Sequence, residues 1–220
     1  MHIAAELLPQ SWLIGAGVAA PAALALCIIR APWRDLRASA RLHVFLGSIV
    51  ALAVLWRIGA DVPPGVTLHF LGATAATLMF GARLAAVCLT ASVGIQVAVG
   101  TIEPSAAAFV VILCALLPVA VSRLAQVAVQ RTLPAHLFVV IFAGAFLTAG
   151  LSMAAVALAA TLALGAAGAE PARVLLEQRL PYFLLLAWGE AFLTGGAVTL
   201  LAVYRPNWLR GVDHDRLLSG

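Results

Sequence analysis

Long apolar segments constrain this chain more than any other feature. Among its 220 residues, seven such segments lie at about 11–29, 42–58, 67–81, 84–101, 105–123, 136–164 and 181–203. A run of about 20 apolar residues is long enough to cross the hydrocarbon core of a membrane as an α-helix. Only 10% of the residues are charged, whereas soluble domains carry about 25%. The sequence therefore predicts an all-α, polytopic membrane protein with about seven transmembrane helices in one bundle.

No soluble domain or internal repeat interrupts these segments, so residues 1–220 are expected to form a single transmembrane domain. Residues 1–10 precede the first segment, and residues 205–220 form a tail after the last. The cysteines are isolated within apolar runs and form no CxxC pair: Cys27, Cys88 and Cys114. A disulfide framework or a thiolate metal site is therefore not expected.

The arginines indicate the orientation. All 13 basic residues are arginine, and ten of them fall on one side of the predicted bundle: Arg30, Arg34, Arg37, Arg41, Arg83, Arg123, Arg131, Arg205, Arg210 and Arg216. The other side has Arg57, Arg173 and Arg179. Because cytoplasmic loops carry the excess of positive charge, the sequence predicts an outward N-terminus, a cytoplasmic tail and a location in the cell inner membrane. Because the arginines follow this membrane pattern, the basic charge is explained by the lipid bilayer, and we do not expect a nucleic acid as a partner.

Only two of the five histidines lie at the predicted outer side. His43, His136 and His214 fall at the cytoplasmic side, which leaves His2 and His69. The ten residues before the first helix reach at most about 33 Å when extended. They can therefore bring His2 back over the bundle to the start of the third helix, where His69 is expected.

A histidine at position 2 is a candidate metal ligand. The α-amine of Met1, the backbone nitrogen of His2 and its Nδ1 can hold one ion together, provided that the amine is not acetylated. With His69 as a fourth nitrogen, a square-planar site would favour Ni(II) or Cu(II) over Zn(II). The alternatives are that His2 occurs by chance and that the His69 ring bonds to water or a backbone carbonyl.

Two further polar residues fall within the predicted bundle. Gln96 either hydrogen-bonds a ligating imidazole or makes a packing hydrogen bond between helices. Glu190 lies about two turns into the last helix, and an acid within the membrane is a functional candidate by default. Its distance from the outer mouth argues against direct ligation and favours a structural hydrogen bond or a role in coupling.

Several short motifs carry a family resemblance. They are Met1-His2-Ile3, Gly65-Val66-Thr67-Leu68-His69-Phe70-Leu71-Gly72-Ala73, Phe80-Gly81, Gln96, Glu190-Ala191-Phe192-Leu193-Thr194-Gly195 and Tyr204-Arg205-Pro206. In this order they resemble the CbiM/NikM type of substrate-binding membrane component, which belongs to energy-coupling-factor transporters for cobalt and nickel. The resemblance implies that Met1, His2 and His69 bind transported Ni(II) or Co(II). It further implies that the protein carries no prosthetic group. Gln96 and Thr67 are candidates for residues that support the metal ligands without binding the metal.

The resemblance also implies partners. No GxxxxGK[ST] motif is present, so ATP-driven uptake would depend on ATPase subunits and a coupling transmembrane subunit. Paired carboxylates, a nucleophile elbow and HExxH are absent from the sequence as well, and we expect no enzyme activity. Two segments, residues 4–6 and 100–108, depart from the family pattern and leave the identity of the metal open. The alternatives are a stand-alone membrane metal sensor and a component for a non-metal ligand.

Overall fold

The structure, a computed structural model, describes residues 2–37, 39–62, 66–134 and 136–210. Within these ranges the chain forms seven helices: α1 Gln10–Arg30, α2 Ser39–Leu55, α3 Ala73–Phe80, α4 Ala82–Ala98, α5 Ala107–Thr132, α6 Leu137–Ala166 and α7 Ala172–Tyr204. Four of the described helices, α1, α5, α6 and α7, are long and apolar enough to cross a membrane. The prediction of a helical, polytopic membrane protein is confirmed at this level.

A small antiparallel sheet accompanies the helices. It consists of β1 His2–Ile3, β2 Gly59–Val62 and β3 Val66–His69, with β3 in the middle. The register places His2 opposite Thr67 on one side and Gly59 opposite His69 on the other. The sheet therefore joins the amino-terminal segment to the connection between α2 and α3.

The sheet corrects the predicted third segment, 67–81, which was wrong in its first half. Val66 and Thr67 are β-branched and favour a strand, and backbone pairing with two neighbours keeps the segment extended. Gly72 then adopts a φ of 68°, a conformation that glycine accepts readily, and α3 starts after it. His69 consequently ends a strand instead of starting a helix. The predicted second segment also ran too far, because α2 ends at Leu55 and β2 follows.

The short helix α3 forms the centre of the bundle. It contacts α4, α5, α6 and α7, and most of its side chains are buried. The helices around it expose large apolar side chains on their outer faces, including Val18, Leu185 and Phe192. An apolar outer surface is what a lipid environment requires of a helix bundle, so α3 lies inside a shell of membrane-facing helices.

One end of the bundle gathers the arginine-rich connections. Arg83 Nη1 donates a hydrogen bond to the carbonyl oxygen of Arg30 at 2.8 Å. Arg210 Nη2 lies 3.1 Å from Asp35 Oδ2. These contacts hold together the α1–α2 connection, the start of α4 and the segment after α7, which are three of the segments that the sequence predicts on one side.

The opposite end contains the three arginines that the sequence predicts on the other side, Arg57, Arg173 and Arg179. Arg57, just after α2, bonds to the Thr101 hydroxyl in the α4–α5 connection. Arg179 forms a buried ion pair with Glu170 across the start of α7, in which Nε donates to Oε2 at 3.0 Å. The two groups of arginines thus lie at opposite ends, as the alternating direction of the helices requires.

Candidate metal centre

His69 lies at the end of β3 with only 2% of its surface exposed. Its Nδ1 is 2.9 Å from the carbonyl oxygen of Phe70, and its ring packs on Trp56 with 4.8 Å between centroids. A carbonyl oxygen can only accept, so this bond requires the proton on Nδ1, and a neutral ring then carries its lone pair on Nε2. Histidines that bind metals are commonly fixed in this way through their second nitrogen.

The amino-terminal segment runs beside this strand. Ile3 is fully buried and pairs with Val66, while His2 pairs with Thr67. Because β1 is antiparallel to β3, the amino end of β1 runs toward the His69 end of β3. Met1 and the side chain of His2 lie outside the described part of the structure. The chelate that they would form with His69 therefore stays a prediction.

Glu190 holds the turn that follows His69. Its Oε2 accepts a hydrogen bond from the backbone N–H of Leu71 at 2.8 Å, and its Oε1 accepts one from Gly72 at 2.8 Å. The Thr194 hydroxyl donates a third bond to Oε1 at 3.3 Å. A carboxylate at the amino end of α3 is also favoured by the helix dipole. Glu190 thus makes a structural hydrogen bond of the kind that the sequence analysis considered, and its role in coupling stays a prediction.

Aromatic packing fixes the same turn from two sides. The Trp56 indole N–H donates to the carbonyl oxygen of Leu71 at 3.2 Å, so Trp56 contacts both His69 and the turn. On the other side, the Phe70 ring lies so close to α7 that a Cβ on Gly189 would come within 2.7 Å of it. The sequence analysis singled out neither Trp56 nor Gly189 as part of the site. The one available signal was that Gly189 directly precedes the buried acid.

Thr67 and Gln96 make other contacts in the structure. The Thr67 hydroxyl donates to Asp61 Oδ1 at 2.6 Å, across the pair that β3 forms with β2. Gln96 Nε2 donates to the carbonyl oxygen of Ala53 at 2.7 Å, which joins α4 to α2. Its Oε1 is buried and has no hydrogen-bond partner among the described residues. Supporting roles for Thr67 and Gln96 behind the metal ligands stay predictions.

The connection after α4, one of the two segments that depart from the family pattern, closes tightly onto that helix. Gly100 turns with a φ of 76°, and the N–H groups of Thr101 and Ile102 donate to the carbonyl oxygen of Gln96 at 2.9 and 3.3 Å. Ile102 is 2% exposed and belongs to the main core. This connection is therefore anchored by backbone bonds and a buried apolar side chain.

A cavity of about 890 Å³ lies beside His69, between the sheet and α7. Its lining is apolar and aromatic apart from His69, with Phe70, Tyr182, Trp188 and Phe192 among its walls. Within the described residues, no group of three or more His, Cys, Asp or Glu side chains could hold a metal ion. The candidate ligand set relies instead on two imidazoles and main-chain nitrogens.

Comparisons with known proteins agree with this architecture. A family model described as the cobalt uptake substrate-specific transmembrane region, CbiM, matches residues 2–208. A crystal structure of a truncated transition metal transporter superimposes with a TM-score of 0.78 at 18% identity, and covers 93% of this chain and 99% of its own. A second transition metal transporter gives a TM-score of 0.78 at 18% identity, with 92% of this chain and 93% of its own covered. At this identity the likeness shows the fold. No curated protein matches the chain significantly.

Proposed function

The chain belongs to the CbiM family of cobalt uptake substrate-specific transmembrane regions, and from this membership we propose that it captures Ni(II) or Co(II) at the outer face of the inner membrane. The family is a membrane component of metal transport, and a transported metal ion is its substrate. Uptake would be driven by ATPase subunits through a coupling transmembrane subunit, as in energy-coupling-factor importers. The outward position of the amino-terminal segment rests on the arginine distribution.

The pairing of β1 with β3 is the observation that supports this proposal most directly. It lays the amino-terminal segment alongside the strand that ends at His69. The proposed ligands are the α-amine of Met1, the backbone nitrogen and Nδ1 of His2, and the His69 imidazole. Nitrogen donors in a plane suit Ni(II) and, less well, Co(II), whereas Ca²⁺ and Mg²⁺ prefer oxygen. Since these nitrogens must lose protons to bind, we expect affinity to fall at acidic pH.

The surroundings of His69 fit a site that is shaped before the metal arrives. Trp56 packs on the ring, the Phe70 carbonyl orients it, and Glu190 holds the turn behind it. A ligand that is already oriented loses less conformational freedom on binding. The metal would then be captured at the outer end and released after a reorientation that the partner subunits drive.

Metal binding to the purified protein tests the proposal. We expect Ni(II) or Co(II) binding, measured by calorimetry, to be lost both in His69→Ala and in a chain with one extra residue before Met1. His43→Ala, at the other end of α2, is the matched control and should bind like the unmodified protein. If affinity survived both changes, the proposed ligand set would be wrong. Metal uptake into vesicles that also contain the ATPase and coupling subunits would distinguish a transporter from a stand-alone metal sensor.

A further inference from the structure

A second, polar cavity of about 600 Å³ lies at the arginine-rich end of the bundle. Its walls come from the connection after α1, the junction of α3 and α4, one face of α5 and the segment after α7. The short helix α3 separates it from the candidate metal centre, because α3 starts at the turn behind His69 and ends at Phe80 beside this cavity. The cavity is therefore independent of the proposed metal site.

The charge around this cavity is strongly positive. Arg83, Arg123 and Arg210 line it. Asp35 is the only acidic residue in the described segments at this end of the bundle, and it pairs with Arg210 at 3.1 Å. Arg83 uses one N–H to reach the carbonyl oxygen of Arg30, and a guanidinium has four more donors. Arg123 has no acidic partner among the described residues. At least two positive charges thus face the cavity without an acidic partner among the described residues.

A buried donor completes this arrangement. Gln126 lines the cavity with 4% of its surface exposed, and its Nε2 has no hydrogen-bond partner among the described residues. A buried donor that lacks an acceptor destabilises the folded protein, so an acceptor is expected there. Arg123, Gln126 and Gln130 are three and four residues apart, which places them on one face of α5. The cavity therefore presents hydrogen-bond donors. The one described acid at this end of the bundle, Asp35, is already paired with Arg210.

We propose that this cavity binds a phosphate group, supplied by the headgroup of an anionic phospholipid. Phosphate oxygens accept without donating, and arginine forks match their geometry. The cavity lies where α1 ends and α4 begins. Its lining residue Pro32 directly precedes the exposed Trp33, and tryptophans concentrate at the level of lipid headgroups. Basic pockets between membrane helices bind anionic headgroups elsewhere by the same chemistry. Soluble phosphate would satisfy the same donors, so the test includes it.

The test uses the full chain, purified in neutral detergent and examined by native mass spectrometry. Phosphatidylglycerol, phosphatidylethanolamine and inorganic phosphate are offered separately. We expect the unmodified protein to retain more phosphatidylglycerol than phosphatidylethanolamine. In Arg123→Gln the affinity for phosphatidylglycerol should fall about fivefold, the factor that corresponds to one basic residue near an anionic lipid surface. Arg131→Gln removes an exposed arginine from the same helix outside the cavity and should bind like the unmodified protein.

Gln126→Leu provides a second variant that keeps every charge, and it should also weaken retention. Equal retention of phosphatidylglycerol by the unmodified protein, Arg123→Gln and Gln126→Leu would overturn the proposal, as would equal retention of phosphatidylethanolamine. Binding of inorganic phosphate that depends on Arg123, without binding of lipid, would overturn the assignment to a lipid headgroup. Metal binding should be unchanged in both variants, because the two sites lie at opposite ends of the bundle.

Discussion

Replacement of Glu190 by leucine should both destabilise the bundle and weaken metal binding. Glu190 accepts hydrogen bonds from the backbone N–H groups of Leu71 and Gly72, both at 2.8 Å, and all three residues are buried. Leucine has a similar volume but offers no acceptor, and water cannot replace it at a buried turn. The two N–H groups would then be left without partners directly behind His69.

The structure sets the magnitude of this effect. Each buried N–H without an acceptor costs about 1–3 kcal/mol, so the free energy of unfolding should fall by about 2–6 kcal/mol in Glu190→Leu. Glu190→Gln keeps one carbonyl oxygen and should lose about half as much. Removal of a group that orients a metal ligand typically lowers metal affinity by about 10–100-fold. We expect a loss in that range for Ni(II) or Co(II) in Glu190→Leu.

Two measurements separate these effects: thermal unfolding in detergent without metal, and calorimetric titration with Ni(II) or Co(II) at a temperature where each variant is folded. Glu177→Gln is the matched control, because it changes an exposed acid on the same helix that pairs with Arg173 in solvent. It should remain within about 0.5 kcal/mol of the unmodified protein. The reasoning would be refuted if Glu190→Leu were as stable and bound metal as tightly as Glu177→Gln.

Two further predictions concern α7, and thermal unfolding measures both. Arg179→Gln leaves the buried Glu170 without its partner and should lower the free energy of unfolding by about 3–5 kcal/mol. Arg173→Gln breaks an exposed pair and should change that free energy by less than about 1 kcal/mol. Equal effects of the two substitutions would contradict the argument from burial. Gly189→Ala places a methyl group 2.7 Å from an aromatic ring and should cost about 1–3 kcal/mol. Gly196→Ala meets nothing within 4 Å, so a loss of similar size there would refute the steric explanation.

The fold was predictable where hydrophobicity decides it. Runs of apolar residues locate the helices because a helix satisfies its own backbone hydrogen bonds in lipid. The sheet was not predictable in this way. Residues 66–69 directly precede an apolar segment and could equally begin a helix, and their extended form depends on pairing with β1 and β2. The strands are only two to four residues long, so tertiary contacts decide their register. A local sequence pattern does not contain this information. The third predicted helix therefore began too early.

The candidate site was likewise predictable from the sequence only in part. Histidine chemistry and the arginine distribution point to His69, because they depend on residue type and on the side of the membrane. The packing of Trp56 on His69 and the two bonds from Glu190 to the following turn depend on how the end of α2 and the middle of α7 each approach the segment between β3 and α3. Glu190 attracts attention in the sequence as an acid within an apolar segment. Its partners, however, are backbone N–H groups more than a hundred residues away, which sequence composition cannot identify.

These contacts restrict how the protein can move during a transport cycle. Glu190 joins α7 to the turn between β3 and α3 through two hydrogen bonds, and leaving these buried groups without partners would cost several kcal/mol. Since α3 also packs among α4, α5 and α6, we expect the strand that bears His69, α3 and α7 to move as one unit. The helix α1 is less enclosed by protein, because 11% of its most apolar stretch is buried, against 33% for α6 and α7. If the proposed site releases its metal through a reorientation, we therefore expect α1 to move more readily than α7 separates from the turn after His69.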